Sequence, residues 1–131
     1  MALFGGSEKR KERSDAVEAE LGRLAALPLS ELALETMTKG FAGSDGYLSV
    51  TEVSGALMAA ADCDGLSQEH QLRLNGLVFE GAQILEHACL IRWVFHGSGG
   101  DHAVYHYDVM ATRLGFKALA EDGTAAILAG S

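Results

Sequence analysis

The sequence predicts a mainly α-helical domain that carries one small β-hairpin, an α+β fold. Two features lead to this prediction. In residues 68–88 the apolar side chains recur at steps of three and four residues, as one face of a helix requires: Leu74, Leu77, Val78, Gly81, Ile84, Leu85 and Ala88. Directly afterwards, two runs rich in strand-forming residues, 90–95 and 103–107, flank the glycine-rich segment 97–101. A long helix that runs straight into a hairpin is therefore the centre of the predicted fold.

Length and composition favour one soluble domain. The chain has 131 residues, of which 48% are hydrophobic and 21% charged, the balance of an ordinary globular protein. We expect a flexible basic arm over residues 1–13 and a single domain over residues 14–131. No apolar run approaches the roughly 18 residues that a membrane helix needs, and the first residues do not have the order of a signal peptide. A cytoplasmic protein without membrane insertion is therefore expected.

Charge is distributed unevenly along the chain. The net charge is −8, but Lys9, Arg10, Lys11 and Arg13 crowd the N-terminus. From residue 14 onward there are 6 basic and 16 acidic residues, a net charge of −10. Such an acidic body repels phosphate, so nucleic-acid binding would have to come from a local patch or from the arm.

Capping signals divide the rest of the chain into helices. Ser14 predicts the start of a first helix that ends before Pro28, and Ser30 the start of a second that stops at Gly40 or Gly43. A capping box at Ser49 and Glu52 predicts the start of a third helix, which ends near Ala61. Ser67 caps the long helix, and Thr112 caps a short helix after the hairpin, which breaks at Asp122-Gly123. A last helical turn is expected over residues 124–128.

Four segments, in their order along the chain, together carry a resemblance to one class of domain. They are the extended piece and capped helix of residues 46–53, the passage from helix to strand at 81–91, the glycine-rich tip at 97–101, and the returning strand that leads to T-x-x-G-x-x-x-L at 112–119. Residues 29–119 resemble the winged-helix domains of MarR-like and PadR-like regulators, with an extra N-terminal helix. This resemblance implies a winged helix-turn-helix fold, DNA binding and a homodimer. The first helix, Ser14 to Leu27, could extend the core or pair with its copy, and the closing segment to Ser131 is the other candidate for the dimer contact.

The resemblance places the long helix in the major groove of double-stranded DNA. On its polar side, Arg73, Asn75 and Gln83 are residue types that contact base edges. The residues expected to contact phosphates are Arg92, Arg113, Lys117 and the arm residues Lys9, Arg10, Lys11 and Arg13. The helix is longer than a usual recognition helix unless it breaks near Gly76, and Glu80 and Glu86 lie on the same side.

A second function stays open because of those acidic residues. The same fold would serve as a protein-interaction module, which uses its acidic surface or its aromatic hairpin and binds no nucleic acid. The low number of basic residues after the arm favours this alternative, whereas the resemblance favours a DNA-binding regulator.

The sequence does not predict an enzyme, a metal site or a cofactor. No G-x-S-x-G, H-E-x-x-H, C-x-x-C or phosphate-binding glycine loop is present. His96, His102 and His106 surround the hairpin tip together with Asp101, which raises the question of a metal. A pairing of His96 with Ala103 would place His96 and His106 on opposite faces, so we expect no metal there.

Overall fold

The structure is a computed structural model. It describes residues 2–98 and 104–130, with side chains for residues 8–94 and 108–130. The elements are α1 (Ala2–Ala26), α2 (Leu29–Glu35) with a π-helical continuation (Thr36–Gly40), β1 (Leu48–Ser49), α3 (Val50–Ala60), α4 (Gln68–His87), β2 (Ile91–Ser98), β3 (Val104–Ala111), α5 (Arg113–Glu121) and α6 (Thr124–Gly130). Helices dominate and the three strands form one antiparallel sheet, so the predicted α+β class is confirmed.

The first helix begins earlier than predicted. It starts at Ala2, so the start at Ser14 is wrong, and residues 2–13 form the first half of the same helix. The segment from residue 8 to 20 is rich in Glu, Lys, Arg and Ala, all strong helix formers, which carry the helix through Ser14. The helix ends at Ala26, ahead of Pro28 as predicted. That its first half is flexible stays a prediction.

The second half of α1 belongs to the core. Val17, Leu21 and Leu24 are all buried there. The guanidinium of Arg23 also joins α1 to α2, with Nη2 2.6 Å from Oε1 of Glu35. Arg23, assisted by Lys39, lowers the pKa of the Glu35 carboxyl to about 2.

The second helix begins at Leu29 with Pro28 in the capping position, so the cap predicted at Ser30 is wrong. Proline is compatible with this position because an N–H at the start of a helix has no intrahelical acceptor, and the Pro28 carbonyl accepts the amides of Glu31 and Leu32. The helix then widens into the π-helical turn and ends at Gly40, one of the two predicted stops.

The three later caps are confirmed. Ser49 and Glu52 form the predicted capping box of α3, and Thr112 accepts a hydrogen bond from the Gly115 amide at 3.0 Å. Ser67 caps α4 by accepting from the His70 amide, and in the reciprocal bond the Ser67 amide donates to Nδ1 of the His70 ring. The long helix is continuous through Gly76. Its predicted apolar face is turned toward the core, with the larger part of its members fully buried.

The sheet has the order β1-β3-β2, and the short strand β1 pairs with β3. The predicted pairing of His96 with Ala103 is wrong, because His96 lies opposite His106 in the register. The register is determined at the inner end of the hairpin, where the paired residues Ile91 and Ala111 are buried. The predicted tip residues from 99 to 101, and His102, lie outside the described residues.

One core lies between the helices and the inner end of the sheet. It joins residues of α1 to α6 with buried strand residues that include Ile91 and Val109. Within the described ranges, no helix has both the length and the apolar character needed to cross a membrane.

Two glycines provide a matched test of this packing. A Cβ at Gly115 would meet the carbonyl oxygen of Leu90, so Gly115→Ala forces α5 away from the link between α4 and β2 and is expected to lower the free energy of unfolding by about 1–3 kcal/mol. At Gly76 a Cβ would meet no atom within 4 Å, so Gly76→Ala is expected to raise the free energy of unfolding by about 0.5–1 kcal/mol. Urea unfolding followed by circular dichroism measures both. Equal effects would contradict the close approach of Leu90 to Gly115.

Candidate binding groove on the long helix

The side of α4 that faces away from the core carries two large apolar residues. Leu72 is 66% exposed and Phe79 is 50% exposed. They are seven residues apart and therefore lie on the same side of the helix, with the open position Gly76 between them. An exposed apolar strip on an otherwise polar helix face is typical of a contact surface.

The hairpin places a second aromatic ring beside this strip. Trp93 of β2 stacks on Phe79, with ring centroids 5.6 Å apart and planes inclined by 15°. The register puts Trp93 opposite the buried Val109, which fixes its position at the inner end of the sheet. A helix residue and a strand residue thus form one aromatic platform.

A groove of about 320 Å³ runs along this platform. We call it the α4–β2 groove, and its lining residues are Phe79, Glu80, Gln83, Glu86 and Trp93. Both glutamates are exposed, and none of the described lining residues is basic. Carboxylates beside aromatic faces attract Lys and Arg side chains by ion pairing and by cation–π contact, whereas they repel phosphate.

Asn75 is engaged inside the protein instead of lying open on the outer side of α4. Its Oδ1 accepts hydrogen bonds from Oγ of Ser54 at 2.7 Å and from Nε2 of Gln71 at 2.8 Å. Ser54 is completely buried, so this contact joins α3 to α4. Reading a base edge with this acceptor would require the contact to be broken.

Arg73 is paired with a carboxylate of α1. Its Nη1 donates to Oε1 of Glu18 at 2.7 Å, and Nε2 of His70 lies 3.1 Å from the same oxygen. The Arg73 hydrogen bond, together with the one to His70, lowers the pKa of Glu18. This cluster connects α1 to α4, and it leaves Arg73 with a neutralised charge at the surface.

The remaining candidates for DNA contact lie on separate elements. Gln83 lines the α4–β2 groove between the two glutamates. Arg92 lies on β2, where its Nη2 is 3.8 Å from Sδ of Met110. Arg113 and Lys117 are exposed one turn apart at the start of α5.

The basic residues of α1 fall into two groups. Lys9 and Arg13 line a cleft against Asp62 and Asp64, and Nε of Arg13 is 3.9 Å from Oδ1 of Asp64. Arg10 and Lys11 are exposed and do not line this cleft. The basic candidates are therefore spread over four elements, and the groove beside the hairpin contains none of them.

Two features of the described side chains bear on metal binding and on thiol reactivity. Among them, no group of three or more His, Cys, Asp or Glu residues is arranged to hold a metal ion. The side chains of His96, His102 and His106 lie outside what the structure describes. Burial and the nearby carboxylates of Glu20, Asp62 and Asp64 raise the pKa of the Cys63 thiol, which disfavours the reactive thiolate.

In comparisons with known proteins, no family model and no curated protein matches the chain.

The sequence signals for the groove were present but not combined. Phe79 is an aromatic residue on the polar side of a predicted helix, and Trp93 is the only tryptophan, in the strand that follows. Helical periodicity and strand alternation do not show that the two side chains meet, because the crossing of helix and strand is a tertiary feature.

Trp93 makes the platform measurable. Removing its stacking partner with Phe79→Ala is expected to expose the indole, which shifts the fluorescence emission to longer wavelength and increases quenching by acrylamide. The lost aromatic pair corresponds to about 0.5–1.5 kcal/mol of stability. Leu72→Ala is the control, since it removes an exposed apolar residue of the same helix two turns away. An unchanged emission in Phe79→Ala, or an equal change in Leu72→Ala, would contradict the stacking.

Proposed function

We propose that this protein is a non-catalytic interaction module of the winged-helix type, whose α4–β2 groove binds a cationic segment of a protein partner. The observation that carries this proposal is the stacked pair of Phe79 and Trp93 with two exposed carboxylates, Glu80 and Glu86, beside it.

The order of the elements supports the winged-helix assignment. A helix leads to a short strand, then to two helices, and then to a hairpin, and the short strand joins the hairpin as its third strand. In the winged-helix proteins that the sequence resembles, the helix before the hairpin occupies the position of α4. The outer side of α4 is therefore the surface that such a fold presents to a partner.

The chemistry of that surface favours a cationic protein segment. A Lys or Arg side chain over an exposed aromatic face gains about 0.5–1 kcal/mol, and each exposed ion pair adds about 0.2–1 kcal/mol. Apolar residues of the same segment would cover Phe79 and Leu72, which are half exposed or more. Binding of this kind weakens with salt, because the carboxylates are at the surface.

The same surface is poorly suited to the major groove of DNA. Glu80 and Glu86 would lie beside phosphates, and the aromatic platform would replace the basic side chains that bind a phosphate backbone. Arg73 and Asn75 already have protein partners on α1 and α3. These contacts favour the protein-interaction function over the DNA-binding function implied by the resemblance.

Trp93 fluorescence tests the proposal directly. The full chain is titrated at low salt with short helical peptides that combine Lys and Arg with apolar residues, with the same peptides in which Gln replaces Lys and Arg, and with mixed-sequence duplex DNA. We expect saturable binding of the basic peptides that weakens as salt is added, and no binding of the Gln peptides or DNA. Saturable DNA binding without peptide binding would overturn the proposal.

A pair of double variants locates the binding on the groove. Glu80→Gln with Glu86→Gln is expected to weaken peptide binding about fivefold, equal to about 1 kcal/mol. Glu31→Gln with Glu121→Gln makes the same change of charge at exposed positions on α2 and α5 and should alter the affinity less than about twofold. Equal weakening by both pairs would show that only net charge matters and would count against the groove.

A further inference from the structure

The first half of α1 extends beyond the core contacts of that helix. The buried residues of α1 are Val17, Leu21 and Leu24, whereas residues 8–13 are all exposed. A helix of 25 residues is about 37 Å long, so a large part of α1 lies outside the core. A helical segment without tertiary packing is only marginally stable in water, and packing on a partner stabilises it.

Two cations of this segment are available to another molecule. Lys9 and Arg13 are one turn apart and line the cleft with Asp62 and Asp64. Arg10 and Lys11 are turned from Lys9 by about 100° and 200° around the helix axis, away from that cleft. Neither has an ion-pair partner among the residues that the structure describes.

These cations cannot reach the α4–β2 groove of their own chain. Arg13 lies beside Asp64, just before α4, and Glu18 contacts His70 and Arg73 further along α4. The two helices therefore run in the same direction, and residues 8–11 extend past the N-terminal end of α4. Phe79 lies nine residues beyond His70, about 14 Å in the opposite direction.

We propose that the cationic segment bound by the α4–β2 groove is the first half of α1 from a second copy of this chain, with Arg10 and Lys11 facing Glu80 and Glu86. This inference rests on the proposed function and names its partner. Charge complementarity supports it: 4 of the 10 Lys and Arg residues lie in residues 9–13, and residues 14–131 carry a net charge of −10.

The shape of α4 suits a helix as the partner. Gly76 lies between Leu72 and Phe79 and has open space where a side chain would be, so a second helix can approach the backbone closely there. When two copies exchange their α1 segments, each groove is filled by the other copy, which is a closed two-fold arrangement. The platform of Phe79 and Trp93 is then covered in the dimer.

Sedimentation velocity tests this proposal by measuring self-association of the full chain and of variants in which the charges are exchanged. Wild type should self-associate at low salt and dissociate as salt is added. Two variants should each weaken association about tenfold or more: Arg10→Glu with Lys11→Glu, and Glu80→Lys with Glu86→Lys. Mixing the two variants should restore association, because each acidic α1 then meets a basic groove and each basic α1 an acidic groove. Arg113→Glu with Lys117→Glu is the control of equal charge change and should alter association less than about twofold.

Several results would overturn the proposal. They are a wild type that stays monomeric at low salt, α1 variants that associate as wild type does, or a mixture that fails to recover. Circular dichroism confirms that each variant is folded. If the groove binds basic peptides in the Trp93 titration while wild type stays monomeric, only the second copy is excluded as partner. If wild type stays monomeric and the groove also binds no basic peptide, the proposed function fails as well.

Discussion

The close approach of α4 to α2 determines which side of the long helix faces outward. Gly81 allows this approach, since a Cβ there would lie 2.5 Å from Oγ1 of the completely buried Thr36. Rotation of α4 is restricted further by the bond from Ser54 to Asn75 on one flank and by the ion pair of Arg73 with α1 on another. With three neighbouring helices holding α4, the side that carries Phe79 is left to solvent. The hairpin follows directly and can then add its tryptophan only on that side.

Local signals account for what the sequence predicts well. The caps at Ser49, Ser67 and Thr112 depend on residues within one turn, and the apolar face of α4 depends on helical periodicity alone. The start of α1 was mispredicted because a good cap at Ser14 competes with strong helix formers on both sides of it. The cap predicted at Ser30 is wrong for a similar local reason, since Pro28 already occupies the capping position two residues earlier.

Contacts between distant residues account for what the sequence could not predict. Ser54, which donates to Asn75, and Glu18, which accepts from Arg73, lie 21 and 55 residues away in the chain. Helical periodicity alone therefore leaves Asn75 and Arg73 on the outer side of α4. The hairpin register follows from burial at its inner end, which the composition of the tip does not reveal. Phe79 and Trp93 form a platform only because α4 and β2 cross at that point. The charged residues that tertiary packing leaves exposed beside this platform are the acidic Glu80 and Glu86.

Amide chemical-shift mapping of the full chain tests most directly whether the α4–β2 groove binds a cationic protein segment. The protein is titrated at low salt with the basic peptide that binds best and, separately, with mixed-sequence duplex DNA. We expect peptide-induced shifts to concentrate in residues 76–87 and 92–94 and to include the Trp93 indole, while DNA leaves these signals in place. DNA-induced shifts along the outer side of α4, with the peptide acting elsewhere, would contradict this binding.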